Sequence, residues 1–186
     1  MISVEKNGLA LKNVDTSKFV KYWKKDISES DVNVFRNISE AAIKQNPKSV
    51  KYLDFECRVL DKYDIQELCL LAVEKDGMSL KDIPMEWRWD DVIEAAVKQN
   101  GMALQYNASD YNFETWDIIA VKQNGMALQF IDDPDEETCI EAVKQNGLAF
   151  QFVKRDKKLK VDEAYERIFE FAVKQNPLAK KFYIKP

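Results

Sequence analysis

The hexapeptide Ala-Val-Lys-Gln-Asn-Gly stands at Ala96–Gly101, Ala120–Gly125 and Ala142–Gly147, and with proline as its last residue at Ala172–Pro177. A chain that respells six residues in this way is built from copies of one supersecondary unit, which restricts its fold more than any other property of the sequence. With the asparagine as anchor, weaker copies stand at Val4–Gly8, Ala42–Pro47 and Ala72–Gly77, so the seven anchors are Asn7, Asn46, Asp76, Asn100, Asn124, Asn146 and Asn176. Their separations of 39, 30, 24, 24, 22 and 30 residues define a unit of about 22 to 24 residues, with insertions after the first, second and sixth copies.

Ahead of the anchors from the second copy onward, apolar residues recur with helical spacing, as in Trp89, Val92, Ile93, Ala96 and Val97, or Tyr165, Ile168, Phe169, Ala172 and Val173. The spacing predicts an amphipathic helix of about three turns. After the anchor a shorter apolar set, such as Met102, Leu104 and Tyr106, predicts a short second helix. Glycine and proline exchange at the position between the two, at Pro47 and Pro177. A left-handed cap would exclude proline, whereas the first turn of a new helix accepts it and asparagine or aspartate is a favoured N-cap. Asn46, Asp76, Asn100, Asn124, Asn146 and Asn176 are therefore read as N-caps of the short helices. By the same chemistry Asp133, with Pro134 and Glu136 behind it, starts the long helix of the sixth copy, and the polar run Ser109–Asn112 precedes the helix over Phe113–Gln123.

One such unit exposes an apolar face that only a neighbouring unit can cover, so the fold predicted is all-α: an α-solenoid of about seven short helix-turn-helix repeats with insertions. A length of 186 residues suits one helical-repeat domain over 1–186, with a degenerate first repeat and N-terminal cap in 1–37 and regular repeats over 38–184. The segment Thr16–Asp26 reads as an added amphipathic helix presenting Phe19, Tyr22 and Trp23. At the other end Phe182, Tyr183 and Ile184 either fold back or meet another chain, which makes an end-to-end homodimer one expected assembly.

The recurring Ala-Val-Lys-Gln-Asn-Gly-x-Ala-Leu resembles a family of tandem helical repeats catalogued as a domain of unknown function. That family is found in bacteria, including effector-secreting intracellular pathogens, in protists and in large DNA viruses. The resemblance spans about residues 38 to 184 and departs from the family pattern at Asp76, Pro47 and Pro177. It implies helical repeats with an interaction role, and it brings no catalytic motif.

The residues themselves point away from catalysis. Histidine is absent, which removes the commonest general base and zinc ligand, and there is no phosphate-binding loop, dinucleotide fingerprint or nucleophile elbow. The carboxylates Asp132, Asp133, Asp135, Glu136 and Glu137 form one local run without the spaced pattern of a calcium loop, and Cys57, Cys69 and Cys139 lack metal or redox spacing. No enzyme activity, cofactor or metal is expected.

Three surfaces are candidates for binding a partner. The lysine two residues before the anchor recurs as Lys44, Lys98, Lys122, Lys144 and Lys174, broken by Glu74, and lies nearly opposite the apolar stripe. The adjoining Gln99, Gln123 and Gln145 either join that face or hydrogen-bond between repeats. Trp87 and Tyr111 stand in or beside inter-repeat loops, where an exposed aromatic would anchor an interface. The insertion from Lys154 to Lys160, with Lys154, Arg155, Lys157 and Lys158, would meet an acidic partner.

A protein partner is therefore expected, and the resemblance implies, within that class, an effector or virus-encoded inhibitor that binds and occludes a host macromolecule. An RNA or single-stranded nucleic-acid binder is the alternative, favoured by the regular lysines and opposed by a net charge of -4. With no long apolar run and no signal-peptide pattern, the expected location is the cytoplasm, or a host cytoplasm for a secreted or viral protein, with no membrane.

Overall fold

The computed structural model describes residues 29–53, 55, 59–107, 114–154 and 163–184. The first repeat around Asn7, the segment Thr16–Asp26, Cys57, Ser109–Asn112 with Tyr111, and Arg155, Lys157 and Lys158 lie outside them. Among the described residues the chain is all-helical. The long helices are α1 (Glu29–Gln45), α2 (Lys62–Lys75), α3 (Asp90–Gln99), α4 (Glu114–Gln123), α5 (Glu136–Gln145) and α6 (Glu163–Gln175). Each is followed, across its anchor residue, by a six-residue 3-10 helix: Pro47–Tyr52, Gly77–Asp82, Gly101–Tyr106, Gly125–Phe130, Gly147–Phe152 and Pro177–Phe182. A single 3-10 turn, Met85–Trp87, precedes α3.

The chain divides into two compact units, Met1–Ala96 and Val97–Pro186. In the first, α1 packs on α2, and their 3-10 helices pack on each other. In the second, α4, α5 and α6 pack in succession, and so do the 3-10 helices from Gly101 to Phe182. Long helix on long helix and short on short, each unit has the stacking of an α-solenoid built from short repeats.

The anchor residue makes the joint between the two helices of a repeat. Asn124 has φ -149° and ψ 106°, an extended conformation; its N–H donates to the Ala120 carbonyl at 2.8 Å and closes α4, while its side-chain oxygen accepts from Met126 N–H at 3.0 Å. Asn46, Asp76, Asn100, Asn146 and Asn176 repeat this geometry, with φ between -144° and -150°. One residue thus ends one helix with its backbone N–H and caps the next with its side chain, satisfying donors that a helix start leaves without partners. Asn124→Ala is expected to destabilise the second unit by about 1 kcal/mol, the usual cost of deleting an N-cap. Urea denaturation followed by circular dichroism would read it, and an unchanged midpoint would mean that the cap contributes nothing here.

The hexapeptide's alanine and valine form the core. Ala72, Val73, Ala96, Val97, Ala120, Val121, Ala142 and Val143 have no solvent-exposed surface. Downstream, the three-residue period of the 3-10 helix eclipses residues three apart, placing Gly101 with Leu104 and Gly125 with Leu128 on the buried side. Phe150 fills the corresponding place in the next copy, with ring centroids 5.0 Å from Tyr165 and 5.3 Å from Phe169.

One boundary differs from the sequence expectation. α5 begins at Glu136 with Asp135 as N-cap, two residues after Asp133, because the Asp135 carboxylate accepts from Thr138 N–H at 2.7 Å. Hydrogen bonds from the Thr138 side chain and backbone hold that carboxyl below its ordinary pKa range. Pro134 consequently precedes the cap instead of opening the helix.

Candidate functional site

The end of each long helix sorts the hexapeptide by burial. After the two buried residues, lysine and glutamine come to the surface: Lys98, Lys122, Lys144 and Lys174 are all exposed, and all belong to the second unit. Each lies in the last turn of its helix, where a cation interacts favourably with the helix dipole. Lys144 also pairs with Glu141 at 2.7 Å and sits over the Phe171 ring at 5.4 Å. In the first unit Lys44 pairs with Glu40. Pairs of this kind along one helix contribute a few tenths of a kcal/mol, so they do not lock the lysines in place.

The glutamines have a defined structural job. Gln145 Oε1 accepts from Gly125 N–H at 2.6 Å, and its Nε2 donates to the Gln123 carbonyl at 3.5 Å. Gln123 does the same to Gly101 N–H and the Gln99 carbonyl, at 2.6 and 3.3 Å. Gln175 does so to Gly147 N–H and the Gln145 carbonyl, at 2.6 and 3.4 Å. Each amide therefore bridges the turn of the preceding repeat, forming a ladder along one side of the second unit.

The role of the glycine is missed by sequence reasoning, which reads glycine and proline as equivalent helix openers. None of Gly101, Gly125 and Gly147 has a positive φ, but a Cβ built on any of them would overlap the carbonyl oxygen of an alanine in the next long helix: Ala120, Ala142 or Ala172. The glycine is there for close approach. Its signal is present in the sequence only as a correlation with a residue one repeat away.

The aromatic and loop candidates separate. Trp87 is half-buried, its ring 5.9 Å from Phe55 and 5.2 Å from Trp89 in an edge-on arrangement. Lys154 is exposed and donates from Nζ to the Asp132 carbonyl, tying the start of its insertion to the preceding loop. At the C-terminal end Tyr183 folds back, with its ring 4.4 Å from that of Phe169 and its hydroxyl bonded to Glu166. Leu178 at 65%, Ile184 at 55% and Phe171 at 38% remain exposed near it.

Burial pushes the thiols of Cys69 and Cys139 up to about 12, reinforced by Asp91 for the first and by Asp135 and Glu136 for the second, so both stay protonated and unreactive near neutral pH. No group of three histidine, cysteine, aspartate or glutamate residues among the described residues is placed to hold a metal ion. No helix among them is long and apolar enough to cross a membrane.

Fold and surface thus define an α-helical repeat protein with a regular set of exposed lysines. Two tandem stretches, residues 66–111 and 118–160, match the model of a domain of unknown function, DUF4116. Each stretch holds two anchors, Asp76 with Asn100 and Asn124 with Asn146, so the matched domain corresponds to a pair of helix-turn-helix units. This supports a repeat family of unknown function. Neither a curated protein nor a solved structure matches the chain.

Proposed function

We propose that the protein is a noncatalytic interaction module that binds a protein partner through the lysine face of its second unit. The observation that carries this reading is the use of the hexapeptide: Ala and Val pack, Gln and Gly join successive repeats, Asn caps, and the lysine is exposed at Lys98, Lys122, Lys144 and Lys174 alike. Lys98, Lys122, Lys144 and Lys174 end successive helices, so a partner with regularly placed acidic groups would meet several of them at once. In its finer form the reading is an effector or virus-encoded inhibitor that occludes a host macromolecule, which rests on the organisms in which the resembling repeats are found.

The same spacing favours a second reading, an RNA or single-stranded nucleic-acid binder, against which stands the net charge of -4. One set of variants tests both. Combined Lys98→Glu, Lys122→Glu and Lys144→Glu is expected to reduce capture of the native partner at least about tenfold, read by quantitative mass spectrometry of pull-downs. Undiminished capture would reject the lysine face. Titration with a single-stranded oligonucleotide at two salt concentrations decides between partner classes: binding that falls steeply with salt would replace the protein reading with the nucleic-acid one.

A further inference from the structure

We propose that the groove between α1 and α2 in the first unit is a second docking site, which takes a lysine or arginine side chain carried on an apolar stretch of a protein partner. The groove encloses about 280 Å³ and is lined by Arg36, Glu40, Glu67, Leu70, Leu71 and Glu74. That volume is just under the ~300–1,000 Å³ of small-molecule sites, which suits one or two side chains of a larger partner. Leu70 and Leu71 are half-buried, an apolar wall of the kind that an aliphatic lysine or arginine stem packs against while its charged head reaches polar groups.

Charge selects the sign of the occupant. Arg36 is already committed to Asp64, at 2.9 Å, and to Glu67, and Glu40 to Lys44. Glu74 is exposed and makes no ion pair among the described residues, so it offers an incoming cation an unneutralised carboxylate beside the apolar wall. It also stands at the position filled by Lys44, Lys98, Lys122, Lys144 and Lys174 in other copies. At this repeat the surface changes sign, from one suited to acidic groups to one suited to basic groups. The site is thus opposite in character to the lysine face and independent of it.

The repeat itself supplies the test variant. Lysine occupies the equivalent position in five other copies, so Glu74→Lys preserves the fold while reversing the charge. The probe is a labelled amphipathic peptide of about twelve leucines and lysines, its leucines on one helical face, followed by fluorescence anisotropy against the full-length protein; a glutamate-for-lysine version is the control. The lysine peptide is expected to bind and the glutamate peptide not, with Glu74→Lys and Leu71→Gln each weakening binding about tenfold. Glu137→Lys, the same charge change at an exposed residue of the second unit, is expected to weaken it less than about twofold. No binding of the lysine peptide, or equal losses with Glu74→Lys and Glu137→Lys, overturns the proposal. So does a wild-type dimer that Glu74→Lys converts to monomer without any peptide binding, since the groove would then hold a second copy.

Discussion

Replacing Gly125 with alanine is expected to lower the unfolding free energy of the second unit by about 3 kcal/mol, at the upper end of the range for inserting a methyl group into packed structure. The methyl would overlap the Ala142 carbonyl oxygen and stand 3.0 Å from Gln145 Oε1. Neither neighbour yields cheaply. Ala142 is fully buried and its carbonyl accepts the Asn146 N–H at 2.9 Å, while Gln145 is held by two bonds to the preceding turn. Relief therefore requires the 3-10 helix Gly125–Phe130 to move away from α5, which loosens the packing around Leu128. Because φ at Gly125 is not positive, the cost is one of space rather than of backbone conformation. The measurement is the urea midpoint at unchanged slope; stability equal to the parent protein would show that the two repeats are not in close contact at this point.

The reach of the sequence depends on how local each feature is. The Asn caps were legible because capping involves an asparagine and the N–H two residues later, and because proline at 47 and 177 excludes a left-handed joint. Long helices were legible from the burial period, and the fold class followed once the units were seen to repeat. The start of α5 was not: Asp133 and Asp135 are both plausible caps by residue type, and only the bond to Thr138 selects the second. Glycine's role was hidden for the opposite reason, its contact being with a backbone oxygen of the next repeat, which no side-chain identity advertises.

For the candidate sites the same distinction holds. Lys98, Lys122, Lys144 and Lys174 were placed on the surface by helical phase alone. Gln99, Gln123 and Gln145 had two readings, a partner face or a ladder, because phase puts a residue on a flank without saying what lies within reach. The groove of Arg36, Glu40, Glu67, Leu70, Leu71 and Glu74 draws on two helices separated by an insertion, and its only trace in the sequence is the break in the lysine row at Glu74.

Gln145→Ala is expected to cost about 2 kcal/mol, within the ~1–3 kcal/mol typical of leaving a buried donor without an acceptor. Gly125 is buried, and its N–H has Gln145 Oε1 as acceptor at 2.6 Å. An internal comparison in the first unit sharpens the expectation. Pro47 occupies the glycine position there and has no N–H, and the following copy carries Lys75 where Gln99, Gln123, Gln145 and Gln175 stand elsewhere. Lysine has no acceptor atom, so donor and acceptor are missing together from the same joint, as they should be if the glutamine is retained for the bond and not for a partner. Lys75→Ala is accordingly expected to cost less than about 0.5 kcal/mol, the usual range for an exposed substitution. Equal costs for Gln145→Ala and Lys75→Ala would break the link between glutamine and glycine. A large difference would leave lysine as the hexapeptide position most available for binding, since the glutamine beside it would be accounted for by stability alone.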